Sequence, residues 1–116
     1  RLKQLFINLL VNSIEAVPEN GRIDIAEKYY VKKGFVRVDI SDNGCGIPED
    51  ILPSIFHPFF STKRGRKNTG LGLAICQHIV DLHHGIITCD SRPGTGTTFS
   101  IRFQTADGQP PARGDV

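Results

Sequence analysis

The 116 residues are enough for one domain with a hydrophobic core and too few for two comfortable ones. Hydrophobic residues make up 39% and charged residues 22%, as in ordinary soluble globular domains. A formal net charge of +2 gives no overall reason to expect nucleic acid as a partner. No apolar run approaches the ~20 residues that cross a bilayer, so we expect no direct membrane contact from this domain.

Cysteine usage and the first residues predict the setting of the chain. Cys45, Cys76 and Cys89 are far apart and form no C-x-x-C pair. We therefore expect reduced thiols in a cytoplasmic setting, not disulfides or a zinc site. The chain opens inside a helical pattern without a capping residue, so we expect it to be part of a longer protein.

The first predicted element is an amphipathic helix over residues 2–17, ended by Pro18. One face is apolar and the other carries a row of polar side chains within roughly 80° of one another. The apolar set is Leu2, Leu5, Phe6 and Leu9, and the polar set is Gln4, Asn8, Asn12 and Glu15.

The remaining elements are mostly strands. Two strands are predicted, near 22–25 and over 35–40, joined by K-K-G. A helical turn near 49–53 and the basic loop S-T-K-R-G-R-K-N-T-G follow. A second helix is predicted over 71–84, with Gly85 ending it. Two more strands, at 86–90 and 97–103, flank the turn R-P-G-T-G.

This order of elements predicts one domain of the α+β class over residues 1–103. Consecutive strands with short turns favour antiparallel pairs, and the two helices then pack on one face of the sheet as a two-layer α/β sandwich. Residues 104–116 lack periodicity and are predicted to form a disordered tail.

Asp42 is the first candidate binding residue, because it ends an alternating strand just before Gly44 and Gly46. A buried carboxylate there can accept a hydrogen bond from the amino group of adenine. Guanine presents a carbonyl instead, which would leave the acid unpaired at a cost of ~1–3 kcal/mol. The glycines permit close approach and unusual φ values. From these residues alone, a simple turn explains D-N-G-C-G equally well.

Two further signals are weak individually. Asn8 and Asn12 lie one helical turn apart and suit Mg²⁺, although a solvated helix face explains them too. Gly70 to Leu73 begin a helix after a basic loop containing Lys63, where free N–H groups favour an anion; a flexible loop is the alternative. The dinucleotide and P-loop glycine motifs are both excluded, because Glu49, Leu71 and Gly72 occupy positions those motifs reserve for other residues.

Together, five ordered motifs over residues 4–103 resemble the catalytic and ATP-binding domain of bacterial sensor histidine kinases. This superfamily includes gyrase, the large heat-shock chaperones and mismatch-repair ATPases, and the resemblance implies a mixed, mostly antiparallel sheet. The wording I-F-x-P-F-F-x-T-K, with E-A after the first motif, is most similar to nitrogen-regulation sensor kinases. The motifs are Q-L-F-I-N-L-L-V-N-S-I-E-A, D-N-G-C-G-I-P, I-F-H-P-F-F-S-T-K, T-G-L-G-L-A-I and G-T-G-T-T-F.

The resemblance implies a role for each matching residue. Asn12 would coordinate Mg²⁺ with Asn8 nearby, Asp42 would accept from adenine with the help of a water, and Thr98 would share that water. The base pocket wall would be Gly44, Gly46 and Ile47. The residues from 56 to 60 would anchor a mobile lid that closes over the triphosphate of ATP. The lid contacts would come from Lys63, Thr69, Gly70, Leu71, Gly72 and Leu73.

The resemblance also implies phosphoryl transfer instead of hydrolysis. The self-contained ATPases carry a glutamate base where this chain has Asn8, and an amide cannot act as a base. The acceptor would be a histidine on a separate dimerisation domain of the same kinase, and a response regulator would interact through the full-length protein. A serine kinase or ATPase of the same fold, and a scaffold that binds no nucleotide, are the alternatives.

None of the four histidines of this chain has the acidic neighbour expected of a phosphoacceptor. His78 is predicted to be a half-buried packing residue and His83 to cap its helix. His57 and His84 depart from the family pattern, which has Glu and a second Gly at these positions. The resemblance further implies a strand before residue 2, so an edge of the sheet is expected to be open.

Overall fold

The computed structural model describes residues 2–57 and 72–104, which form two α-helices, two short 3₁₀ helices and four strands. The predicted lid contacts Lys63, Thr69, Gly70 and Leu71 lie outside the described residues, as do residues 58–60 of the predicted lid anchor and the tail from residue 105. The elements are α1 (Leu2–Ala16), β1 (Ile23–Tyr30), β2 (Phe35–Asp42), α2 (Gly72–Leu82), β3 (Ile86–Arg92) and β4 (Gly96–Gln104).

The four strands form one sheet in the order β1-β2-β4-β3, and all three pairings are antiparallel. The predicted class, a two-layer sandwich with both helices on one face, is confirmed, and within the described residues no pairing is parallel. β1 extends to Tyr30, beyond the predicted end at residue 25. The backbone of β1 pairs with β2 along the whole strand, although its side chains are mostly exposed. A pattern of buried residues therefore could not predict the length of β1.

The hydrophobic core lies between the helices and one face of the sheet. Alternate residues of β2 and β4 point into it, because side chains of a strand point alternately to opposite faces. The fully buried large side chains come from α1, β2, α2 and β4, and the sheet face that turns away from them carries polar residues. These buried residues include Leu5, Leu9, Ile40, Val80, Phe99 and Ile101.

The end of α2 differs from the prediction in one respect. The amide of Gly85 donates to the carbonyl of Val80 (2.9 Å) and that of His84 to Asp81 (3.0 Å), which is a Schellman motif. The left-handed residue of this motif is His84, with φ 56°, and not the following glycine. Gly85 is needed for a different reason, since a Cβ there would lie 2.6 Å from the carbonyl oxygen of Arg102.

Two histidine predictions have opposite outcomes. The ring Nδ1 of His83 lies 2.9 Å from the carbonyl oxygen of Ile79, which confirms its capping role at the end of α2. His78 is exposed, so its prediction as a half-buried packing residue is wrong. No helix in the described parts of the chain is long and apolar enough to span a membrane.

Candidate functional site

A polar row crosses the helix-facing side of the sheet at one end. Asp42 pairs with Thr97 across β2 and β4, and Thr97 pairs with Ser91 across β4 and β3. Opposed residues of an antiparallel pair point to the same face, about 5 Å apart. This face is otherwise the apolar core face, so its polar end is the place where the fold presents hydrogen-bonding groups beneath the helix layer.

Asp42 uses one carboxylate oxygen within the chain. Its Oδ1 accepts from the amide of Gly44 at 2.9 Å, which is the Asx-type turn that the D-N-G sequence favours. Oδ2 makes no hydrogen bond to another described residue. Asp42 therefore closes the turn with Oδ1, and Oδ2 keeps its capacity to accept a hydrogen bond.

The glycines of the motif let backbone segments of the protein itself approach one another. A Cβ on Gly44 would lie 2.5 Å from the carbonyl oxygen of Ala16, at the end of α1. A Cβ on Gly46, whose φ is 77°, would lie 2.1 Å from that of Arg92. Both glycines are thus required by contacts of the protein with itself, at α1 and at the end of β3, and their role in a base pocket stays a prediction.

Ser91 joins three segments and was not singled out from the sequence. Its Oγ accepts from the amide of Ile47 (2.8 Å), donates to the carbonyl of Gly96 (3.0 Å) and lies 2.8 Å from the hydroxyl of Thr97. Because its one proton goes to Gly96, Thr97 must donate to it. Ile47 packs its side chain against the core, so it is held at both backbone and side chain, and its role as a wall of the base pocket stays a prediction.

Thr97, and not the predicted Thr98, lies on the same face as Asp42. Thr98 pairs with Ser41, and the two hydroxyls lie 2.9 Å apart on the opposite side of the sheet. The prediction of Thr98 is therefore corrected by one residue. The physical reason is the alternation of side chains along β4, which a shift of one position reverses.

The two asparagines of α1 lie on the flank of the helix between its core-facing and outward-facing sides. Both are partly buried. The side chain of Asn8 faces the thiol of Cys76 on α2 and lowers the pKa of that thiol. That thiol also contacts the carbonyl oxygen of Leu5, at 3.8 Å. Asn12 lies one turn nearer to the end of α1, where Ala16 contacts the loop that follows Asp42.

Two of the predicted lid residues fall within the described chain. Gly72 begins α2 and is exposed, whereas Leu73 is partly buried and packs against the core. Leu73 therefore anchors the first turn of α2. The structure brings together Asp42, the glycines and Ile47, and it places the asparagines on the helix above.

The three cysteines are free thiols, as predicted. Burial raises the pKa of Cys76 to about 12, although the hydrogen bond from Asn8 opposes this effect. Burial also raises the pKa of Cys89 to about 12, and the negative charges of Asp90 and Asp42 add to it. Both therefore remain protonated and inert at neutral pH. Cys45 is exposed in the loop after Asp42.

Comparison with known proteins identifies the family. Residues 1–107 match the model described as "Histidine kinase-, DNA gyrase B-, and HSP90-like ATPase". The chain belongs to this family. Sporulation kinase A of Bacillus subtilis is 44% identical over 103 residues, which are 89% of this chain and 16% of that protein. Other relatives of this chain are histidine kinases with varied names, such as AtoS and ZraS of Escherichia coli.

Solved structures of the histidine kinase ThkA and of ShkA have the same fold. The catalytic domain of ThkA is 42% identical with a TM-score of 0.75, and covers 90% of this chain and 66% of its own. ThkA in complex with the response regulator TrrA is 38% identical with a TM-score of 0.73, covering 95% and 30%. Full-length ShkA in complex with AMPPNP is 28% identical with a TM-score of 0.77, covering 90% and 22%.

The chain thus spans a small part, about one sixth, of Sporulation kinase A. The activities of those whole proteins therefore apply to this chain only as far as its own residues support them.

Proposed function

We propose that this chain binds Mg-ATP and donates the γ-phosphoryl group to a histidine on a separate dimerisation domain of the same kinase. The observation that carries the proposal is the position of Asp42. Its Oδ2 is available at the polar end of the core face, and Thr97 lies beside it. An acceptor there suits the amino group of adenine, and the amide-bearing flank of α1 lies above for the phosphates.

The asparagines fit a role in holding Mg²⁺. Amide oxygens are hard ligands, and Mg²⁺ usually takes few protein ligands and relies on phosphate oxygens for the rest. The described residues contain no cluster of three or more acidic, cysteine or histidine side chains that would hold a metal alone. Asn12, with Asn8 nearby, would therefore contribute to a site that ATP completes. The bound ion would neutralise charge on the phosphates.

In phosphoryl transfer the protein contributes mainly by positioning the reactants and stabilising charge, and less by covalent chemistry. The bond from the γ-phosphorus to the β–γ bridging oxygen breaks, a bond to a histidine nitrogen of the partner domain forms, and ADP leaves. Because Asn8 cannot accept a proton as a glutamate base would, water is not activated at this position. The chain alone is expected to bind nucleotide and to hydrolyse almost none.

The likeness to other kinases supports two further parts of the proposal. ShkA was solved with AMPPNP, an analogue of ATP, and ThkA was solved with a response regulator. By analogy, the parent of this chain would act in the cytoplasm and pass its phosphoryl group to a response regulator. Its assignment to the nitrogen-regulation type stays a prediction, since it depends on the wording of the third motif and the relatives have varied names.

Transfer in trans tests the proposal. The chain is mixed with labelled ATP, Mg²⁺ and a separately produced dimerisation domain from a related sensor kinase, with a His→Ala variant of that domain as the control. We expect acid-labile, base-stable phosphate on the dimerisation domain that keeps its histidine, and none on its His→Ala variant. Acid-stable phosphate would indicate a serine kinase, release of free phosphate without transfer would indicate an ATPase, and absence of nucleotide binding would favour the scaffold.

A further inference from the structure

The sheet face that turns away from the helices carries a row of three cations. Lys28, Arg37 and Arg102 are directly opposed across β1, β2 and β4. We call these three residues the basic row. No described helix covers this face, and Lys28 and Arg102 are exposed. Like charges in opposed positions destabilise a sheet, so the row needs a reason beyond folding.

Only one member of the basic row has an acidic partner among the described residues. Arg37 Nε lies 2.8 Å from Asp39 Oδ1. Arg102 makes no ion pair with a described residue, and Lys28 acts on Asp39 only through its charge. One carboxylate therefore serves three cations, and the row keeps a net positive charge.

Arg102 is held in a geometry that suits carboxylate binding. Its guanidinium carbon lies 4.0 Å from the centroid of the Phe35 ring, and Phe35 stacks on Tyr30 with centroids 4.5 Å apart. A guanidinium that lies on an aromatic ring keeps the N–H donors at its edge for a planar acceptor. Ile86 is opposed to Arg102 and is 58% exposed, so an apolar side chain adjoins the row.

We propose that the basic row is a docking surface for an acidic segment of another polypeptide, in which Asp or Glu residues stand at every second position. In an extended segment these carboxylates share one face, which would meet Arg102 and Lys28. This inference concerns the face opposite to the nucleotide site and stands independently of the proposed function.

One observation favours a polypeptide over nucleic acid. The aromatic surface is already used, because the Phe35 ring contacts both Arg102 and Tyr30. A platform for stacking bases is therefore absent from this described surface.

A site-resolved titration tests the docking surface. A ten-residue peptide of alternating Glu and Ser is added to the isotope-labelled 116-residue chain at low salt, and amide shifts are followed by NMR. The basic sequence at residues 63–67 also attracts acids, so the location of the shifts decides. We expect shifts in 35–38 and 101–103, and affinity that falls as salt is added. Shifts confined to 63–67 would overturn the proposal.

Two double variants with the same loss of charge provide the comparison. Lys28→Gln with Arg102→Gln removes the outer members of the row, whereas Lys3→Gln with Arg22→Gln removes two cations elsewhere. We expect at least tenfold weaker peptide binding in the first and less than twofold change in the second, with ATP affinity unchanged in both. Equal losses of peptide affinity in the two double variants would show that binding depends only on net charge and would overturn the proposal. Tighter binding of a ten-nucleotide oligothymidylate at the row would favour nucleic acid and overturn the assignment.

Discussion

Asp42 and Thr97 face each other across the β2–β4 pairing, on the side of the sheet that the helices cover. The next residue, Thr98, points to the other side and pairs its hydroxyl with Ser41. The register therefore decides which of two adjacent threonines can assist Asp42 at the proposed nucleotide site.

Substitution of the two threonines separates their roles. We expect Thr97→Val to weaken ATP binding about 5- to 10-fold, because it removes a hydroxyl beside Asp42 that can hold a water. Thr98→Val should leave ATP affinity within twofold, since its hydroxyl lies on the opposite face. Isothermal calorimetry with an ATP analogue measures both, and a larger loss from Thr98→Val would restore the original prediction.

Two serines predict opposite effects on stability. Ser91 Oγ makes three hydrogen bonds, so Ser91→Ala should lower the free energy of unfolding by about 1–3 kcal/mol by leaving its partners unsatisfied. Ser13 is fully buried in α1 and its Oγ has no partner among the described residues. Ser13→Ala should therefore be neutral or raise stability by up to about 1 kcal/mol. Urea denaturation measures both, and a loss of stability in Ser13→Ala would reveal an undetected partner.

The end of α2 provides a third test. His84 has φ 56° without being a glycine, a conformation that costs non-glycine residues roughly 1–2 kcal/mol. We expect His84→Gly to raise the free energy of unfolding by about 1 kcal/mol. Gly85→Ala should lower it, because the added Cβ would lie 2.6 Å from a backbone oxygen. Thermal melts compare the two, and stabilisation by the alanine would contradict the described turn.

The Arg37–Asp39 pair predicts an acid-dependent contribution to stability. Partial burial alone would raise the pKa of Asp39, but hydrogen bonds from Arg37 and Ser100 and the charges of Arg37 and Lys28 lower it overall. A carboxyl whose folded pKa lies below its unfolded value of ~3.9 stabilises the fold above that pH. The contribution is lost as the pH falls through the folded pKa.

Asp39→Asn should therefore cost about 0.5 kcal/mol at pH 7, the size expected of a surface pair, and nothing at pH values below the folded pKa. Asp24→Asn is the control, because the Arg22–Asp24 pair is more exposed and should contribute less. Urea denaturation at a series of pH values gives the difference. A difference that grows on acidification would show that the sign is wrong.

The elements with alternating burial could be predicted from sequence. The predicted ends of β2 and β4 lie within two residues of the observed ends, because about every second residue is apolar and faces the core. β1 is held by backbone pairing at the sheet edge, so its exposed Glu27 and Lys28 did not indicate a strand. The left-handed His84 could not be predicted, since glycine normally takes that position and the chain offered Gly85 one residue later.

The site divides in the same way. Asp42, the glycines and the asparagines could be proposed from residue type and spacing within short motifs. Ser91 could not, because its partner Ile47 is 44 residues away in sequence and only the fold brings them together. The choice between Thr97 and Thr98 depended on the strand register. A pattern of apolar residues defines which side chains face the core, but it does not assign a face to two consecutive polar residues.

The central claim is that Asp42 binds the adenine while Asn12 holds the magnesium of the same nucleotide. Calorimetric titration of an ATP analogue with and without Mg²⁺, on the unmodified chain, Asp42→Ala and Asn12→Ala, tests both parts at once. We predict that Asp42→Ala weakens binding more than tenfold and that Asn12→Ala binds equally with and without Mg²⁺. Unchanged affinity in Asp42→Ala, or full magnesium dependence in Asn12→Ala, would contradict the account.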